Sequence, residues 1–308
     1  MLFKINNSYF YYLDHSTLIN DYYQYIVEII KSFIIKNQDL ELNITLCSDY
    51  NFNNDNITLS IEINWEHTLV KQGGRSVNFG TPTGTITDVN GQNYFVRIDR
   101  YDRLNKSDII IDYSNPNICN VQTLKILESF SKKHLYISPS FYEIYNKKEN
   151  RSLTSLTTFI NTLEPRRATL LEKIKSSGIN HNNVNDCFEK EKLYELYKNT
   201  KILINIHQTD HHDTFEELRV LPALQSGVIV ISEFSPLKEK IPYHELVIWS
   251  SYDDIISKTL EIINNYDYFY HLVFSDRNIE IITQLNDQNI IGLNNKLKYT
   301  YDLKTAQK

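Results

Sequence analysis

The sequence predicts an α/β fold divided into two domains, and three observations carry that reading. Residues 201–234, KILINIHQTDHHDTFEELRVLPALQSGVIVISEF, run strand, polar loop, helix, glycine, strand. From residue 153 to 272 short apolar runs keep alternating with helical patterns, which is how parallel βαβ units read. The chain of 308 residues, 41% hydrophobic and 12% aromatic, is long enough for one large α/β domain or two ordinary ones.

In the first half, residues 18–37 form the best helix, with Tyr22, Tyr25, Ile26, Ile29, Ile30 and Phe33 at helical spacing. Strand-like runs follow at 40–46, 57–63 and 94–98. Between the last two, residues 71–91 hold Gly73, Gly74, Gly80, Pro82, Gly84 and Gly91, a long loop or hairpin pair of a kind that is usually functional or mobile. DIIIDY at 108–113 reads as a buried strand closed by the turn Ser114-Asn115-Pro116-Asn117. A helix over 124–132 and a strand over 135–138, stopped by Pro139, complete this half. Residues 141–151, FYEIYNKKENR, lose apolar periodicity and are expected to link domains of 1–145 and 146–308.

In the second half, strands are expected at 154–160, 202–206, 228–231 and 247–249, with helices at 167–176, 189–199 and 252–264. Thr214 and Glu217 spell a Thr-x-x-Glu capping box opening a further helix. Leu218, Leu221 and Leu224 give it an apolar stripe, and Gly227 stands where its C-cap belongs. Residues 265–300 read as more helix. A βαβ unit presents its ligand edge at the carboxyl ends of its strands, and there fall His207, Gln208, Thr209, Ser232 and Glu233.

Composition narrows the function. Net charge is −6 and the pI about 5.9, so no broad basic face for nucleic acid is expected. Cys47, Cys119 and Cys187 are isolated, without CxxC spacing, which suits a reducing compartment. The polar N-terminus lacks the apolar core of a signal peptide, and no run reaches the ~18 apolar residues of a membrane span. A cytoplasmic protein is the expectation. Gly-x-Gly-x-x-Gly, Walker, Ser-His-Asp and Asp-x-Asp patterns are all missing.

Asn205, His207, Phe215, Glu216, Arg219, Ala223, Leu224, Gly227, Ser232 and Glu233 stand in an order that resembles the donor-binding half of GT-B glycosyltransferases, above all the "glycosyl transferases group 1" type of C-terminal domain. A second match, LTTFINTLEPRRATLLEKIK at 156–175, reads strand, turn, paired Arg166 and Arg167, helix, as that domain usually begins. The resemblance covers roughly residues 150–275. It implies two Rossmann-like α/β domains facing across a cleft, the second binding a nucleotide diphosphate sugar and its last helix folding back on the first. It further implies transfer of a hexose to a glycan or other hydroxyl acceptor, with no cofactor and no obligatory metal. One departure stands out: where many retaining members carry the second Glu of a Glu-x7-Glu pair, this chain has Pro222. Glu216 or Glu217 then takes over its contacts or the donor is held differently, and retention or inversion stays open.

On the donor side, Arg166 and Arg167 open a helix, where backbone N–H groups and guanidinium forks suit a departing diphosphate. Their other reading is as solvated helix-start residues, and Arg167 is the favoured phosphate contact of the two. His207 is a ligand-edge candidate or a histidine satisfied by backbone; its spacing to His211 crosses a loop, so no metal is expected. Glu216 and Glu233 suit sugar or ribose hydroxyls, with Thr214, Asn205 and Ser232 beside them, while Glu217 belongs to the capping box. Arg219 pairs with Glu216 or Asp213, or faces the pyrophosphate. On the acceptor side, inversion needs a base, and Glu66, His67 and Asp99, the last between Arg97 and Arg100, are the candidates. The alternatives are a sugar-nucleotide epimerase or phosphorylase, and a non-catalytic carbohydrate-binding or scaffold protein.

Overall fold

The computed structural model describes residues 1–13, 19–65, 71–72, 94–95, 101–145, 147–148, 151–158, 165–185, 187, 189–207 and 214–307. It is α/β throughout and divides into two compact units, Met1–Ser138 with Asp287–Lys308, and Pro139–Asn286. Among the described residues no helix is long and apolar enough to cross a membrane.

The first unit opens on an antiparallel hairpin of β1 (Leu2–Ile5) and β2 (Ser8–Tyr12), absent from the expectations above. Its two-residue turn holds Asn6 at φ 49°, a left-handed position that asparagine tolerates. Then follow α1 (Asn20–Lys36), β3 (Leu42–Leu46), β4 (Ile57–Asn64) and the two-residue pair β5 (Lys71–Gln72) and β6 (Tyr94–Phe95). Next come α2 (Tyr101–Lys106), β7 (Ile109–Asp112), α3 (Asn115–Gln122), α4 (Glu128–Ser131) and β8 (His134–Tyr136). The main sheet runs β1-β2-β3-β4-β7-β8 and is parallel from β2 onward. Tyr22, Ile26, Ile29, Ile30 and Phe33 of α1 are buried, so the helical spacing in the sequence is the spacing of the core.

The second unit contains β9 (Leu153–Thr158), α5 (Pro165–Ser176), β10 (His181–Val184), α6 (Lys190–Lys198) and β11 (Thr200–Asn205). It continues with α7 (Glu217–Gln225), β12 (Ile229–Glu233), β13 (Ile248–Ser250), α8 (Ile255–Asn264) and α9 (Tyr266–Val273). Its sheet is wholly parallel in the order β10-β9-β11-β12-β13. The chain steps one way from β9 to β10 and then the other way to β11. With right-handed crossovers, α5 covers one face and α6 and α7 the other. The reversal makes a switch point at the carboxyl ends of β9 and β11, where open α/β sheets bind ligands. Ile202, Leu203, Val228, Ile229, Val230 and Ile231 are 0% exposed, as strands covered on both faces require.

The capping box is not formed. α7 starts at Glu217 with Glu216 as N-cap and no side-chain cap bond, and Glu217, 0% exposed, accepts a hydrogen bond of 3.0 Å from Tyr243. Burial against Tyr243 has overridden the local cap. The other end of α7 matches expectation. Gly227 has φ 72°, and Gly227 and Val228 donate to Leu224 and Ala223, a Schellman closure. Segment 141–151 contributes buried Tyr142 and Arg151 to this unit. Arg151 donates to the carbonyls of Lys147, Tyr197, Thr200 and Ser226, fastening the ends of α6 and α7 to the start of β11. Last comes α10 (Asp276–Ala306), whose residues from Asp287 belong to the first unit. There Asn289 donates to Tyr25 and Ser138, and Lys304 reaches Asp108 at 2.7 Å.

Candidate functional site

The candidate site is the carboxyl edge of the second unit's sheet at the switch point. β11 ends there at Asn205, followed by Ile206 and His207, and α5 begins beside it with Pro165, Arg166 and Arg167. Proline suits the first helical position, since its missing N–H costs nothing there. A helix of 12 residues gives this end a positive partial charge.

Both arginines reach the end of β11. Arg167 Nη2 donates to the Ile206 carbonyl at 3.5 Å, and Arg166 Nη1 to the His207 carbonyl at 3.4 Å. Arg166 also holds Glu233, at the end of β12, through Nη1 to Oε2 at 2.9 Å and through Nη2 to Oε1. The Arg166 guanidinium lies 3.9 Å over the ring of Tyr252, whose hydroxyl donates to the Arg166 carbonyl at 2.7 Å. His207 adds two ties: its backbone N–H donates to Glu233 Oε2 at 3.2 Å, and its Nε2–H to the Phe234 carbonyl at 2.9 Å. Arg166, Arg167, His207 and Glu233 are thus brought together.

Beneath them lies a second network. Arg219 Nη1 donates to Asn205 Oδ1 at 2.9 Å, Asn205 Nδ2 to Ser232 Oγ at 2.9 Å, and Ser232 Oγ to the Glu233 carbonyl at 3.1 Å. All three residues are buried, and the chain of bonds joins α7, β11 and β12. Arg219 therefore bonds Asn205, a partner the sequence did not suggest, while Asp213 lies outside the described residues. Thr214 and Glu216 sit half-buried in the approach to α7. Glu66, His67 and Asp99 lie outside the described residues.

A further polar row runs along β9 and β10. Thr157 Oγ1 donates to Asn183 Oδ1 at 2.9 Å and so accepts from His181 Nε2, also at 2.9 Å, while Ser155 Oγ lies 2.8 Å from His181 Nδ1 and 3.3 Å from the Asn180 carbonyl. Burial pushes the His181 pKa down to about 4, which keeps the imidazole neutral at neutral pH. Sequence reasoning missed this row because β10 reads as a polar loop. It also missed Tyr252 and Phe234. Tyr252 carries no local signal, and Phe234 showed only as the residue after Ser232-Glu233.

No protein-family model matches the chain. Three proteins of Acanthamoeba polyphaga mimivirus, each described only as uncharacterized, are similar to it. Protein R358 is 30% identical over 192 residues, covering 61% of this chain and 65% of that one. Protein L140 is 24% identical over 164 residues, 52% of each. Protein L137 is 28% identical over 184 residues, 56% of this chain and 23% of that one. The chain thus spans only part of the curated relatives it matches. Among solved structures, the crystal structure of TarM is similar with a TM-score of 0.49 and 11% identity, covering 89% of this chain and 58% of that one. A likeness that distant assigns neither activity nor substrate.

Proposed function

We propose that the second unit binds a nucleotide diphosphate sugar and that the protein is a glycosyltransferase moving a hexose to a glycan or other hydroxyl acceptor. One observation carries the reading: the switch point between β9 and β11 coincides with the start of α5, where Arg166 and Arg167 both reach the end of β11. A diphosphate placed there meets a helix N-terminus and a guanidinium, which stabilise its departing charge without a metal. Arg167, whose guanidinium reaches the end of β11 beside the first turn of α5, is the arginine assigned to the phosphates in this reading. In this reading the first unit carries the acceptor side, and Glu66, His67 or Asp99 supplies the base if the reaction inverts.

A second reading, a non-catalytic carbohydrate-binding or scaffold protein, is favoured by one feature. Asn205, Arg219 and Ser232 bond one another, and Arg166 bonds Glu233, so most of the matched polar residues are engaged within the fold.

Thermal stabilisation by UDP, GDP, ADP, CMP and dTDP, with and without their sugars, tests the proposal. A ligand at a hundred times its dissociation constant adds about 2.7 kcal/mol, and Arg167→Ala should abolish that gain. A flat panel contradicts donor binding. A strong responder that is never consumed in any acceptor mixture favours the second reading.

A further inference from the structure

Directly after Glu233 the chain presents an aromatic ring to solvent. Phe234 is 52% exposed, whereas Ser235 beside it is 7% exposed. Its backbone is held at both ends: the N–H donates to the Ser250 carbonyl at 2.9 Å, and the carbonyl accepts from His207 Nε2 at 2.9 Å. The Lys238 ammonium stands 4.9 Å from the centre of this ring and 5.4 Å from that of Trp249. The turn that brings Lys238 back carries Leu237 at φ 58°, a left-handed conformation that costs a non-glycine residue roughly 1 kcal/mol.

One exposed apolar side chain needs no explanation. This one is fixed by two backbone bonds, steadied by a cation, served by a strained turn and set one residue from the Arg166–Glu233 pair. It is a preorganised surface at the ligand edge, and such a surface loses little entropy when something packs on it.

We propose that Phe234 is the sugar platform of the site, the CH face of the donor's hexose packing on its ring; this rests on the donor-binding reading above. The hydrogens on one face of a pyranose carry partial positive charge, and an aromatic face is negative. Around that contact a hexose also needs polar partners for its rim of hydroxyls. The Lys238 ammonium, which lies against the ring, supplies a donor for them. Phe234 thereby makes the site prefer a sugar nucleotide to the bare nucleoside diphosphate.

Calorimetric titration of the full chain with UDP, UDP-glucose, GDP and GDP-mannose tests this in the wild type, Phe234→Ala and Phe234→Trp. The exposed position leaves the fold intact, which an unchanged melting temperature verifies. The expected result is that Phe234→Ala weakens the sugar nucleotide by roughly 3- to 10-fold, the size of one aromatic contact, leaves the nucleoside diphosphate unchanged, and is rescued by Phe234→Trp. Equal weakening of both ligands places the nucleotide on the ring and overturns the inference. Unchanged affinity for both, with the wild type binding normally, overturns it alone. Absence of any binding by the wild type, to these ligands and to the adenosine, cytidine and thymidine members of the panel above, overturns the donor reading itself and this inference with it.

Discussion

Arg166 and Glu233, 67 residues apart in sequence, meet in a two-pronged ion pair with both side chains largely buried. The pair ties the first turn of α5 to the carboxyl end of β12, across the end of β11 that lies between them. His207 adds its backbone N–H to the same carboxylate. One contact therefore fixes the three elements that converge on the candidate site, and it leaves the pair itself without net charge.

Breaking that pair from one side strands a buried charge. Glu233→Ala is expected to cost about 3 kcal/mol of unfolding free energy in urea titration. The double variant Arg166→Met, Glu233→Ala should cost less than the sum of its singles, by at least about 1 kcal/mol. Strict additivity would mean the two side chains do not depend on each other.

Two glycines with nearly the same backbone angle should respond differently to alanine. Gly227 has φ 72° and Gly178 φ 74°. A Cβ on Gly227 would come within 2.4 Å of Arg151 Nη2 and 2.5 Å of the Tyr145 carbonyl, whereas one on Gly178 meets nothing within 4 Å. Gly178→Ala should cost only the left-handed penalty, about 1–2 kcal/mol. Gly227→Ala adds displacement of the Arg151 clamp and should exceed it by about 2 kcal/mol or more, read from urea midpoints. Equal costs would mean that Arg151 gives way freely.

Stability should fall with acid through two buried histidines. Burial lowers His134 from 6.5 to about 3 and His181 from 6.5 to about 4. Between those values and 6.5 the unfolded chain binds more protons than the folded one, so the contribution is full above 6.5 and is lost as pH falls toward the folded values. Each should give a slope of up to about 1.4 kcal/mol per pH unit in that window. His181→Asn should flatten the curve measured by urea titration from pH 7 downward, and an unchanged slope would contradict the assignment.

How far the sequence is legible follows from where each signal resides. Strands β11 and β12 were readable because burial on both faces demands continuous β-branched runs, and α1 because one apolar stripe repeats at helical spacing. The close of α7 was readable because Gly227 is a local chemical requirement. β10 was not: His181, Asn182 and Asn183 carry no apolar signal, and it is parallel backbone pairing with β9, joined by the Ser155 and Thr157 side chains, that makes them a strand. The site residues were picked out one by one, but their partners were invisible. That Arg219 bonds Asn205 and Arg166 bonds Glu233 depends on side-chain directions across three elements, which no spacing along the chain encodes. The Thr214–Glu217 cap failed for the same reason, because Tyr243 lies 26 residues from Glu217 and competes for its carboxylate.

The central claim is that the start of α5 holds a diphosphate. A crystal structure of the protein soaked with the nucleoside diphosphate that stabilises it most tests this directly. The account predicts phosphate density at the first turn of α5, within hydrogen-bonding distance of Arg167. Density for the nucleotide elsewhere on the molecule, with the first turn of α5 and Arg167 untouched, would contradict it.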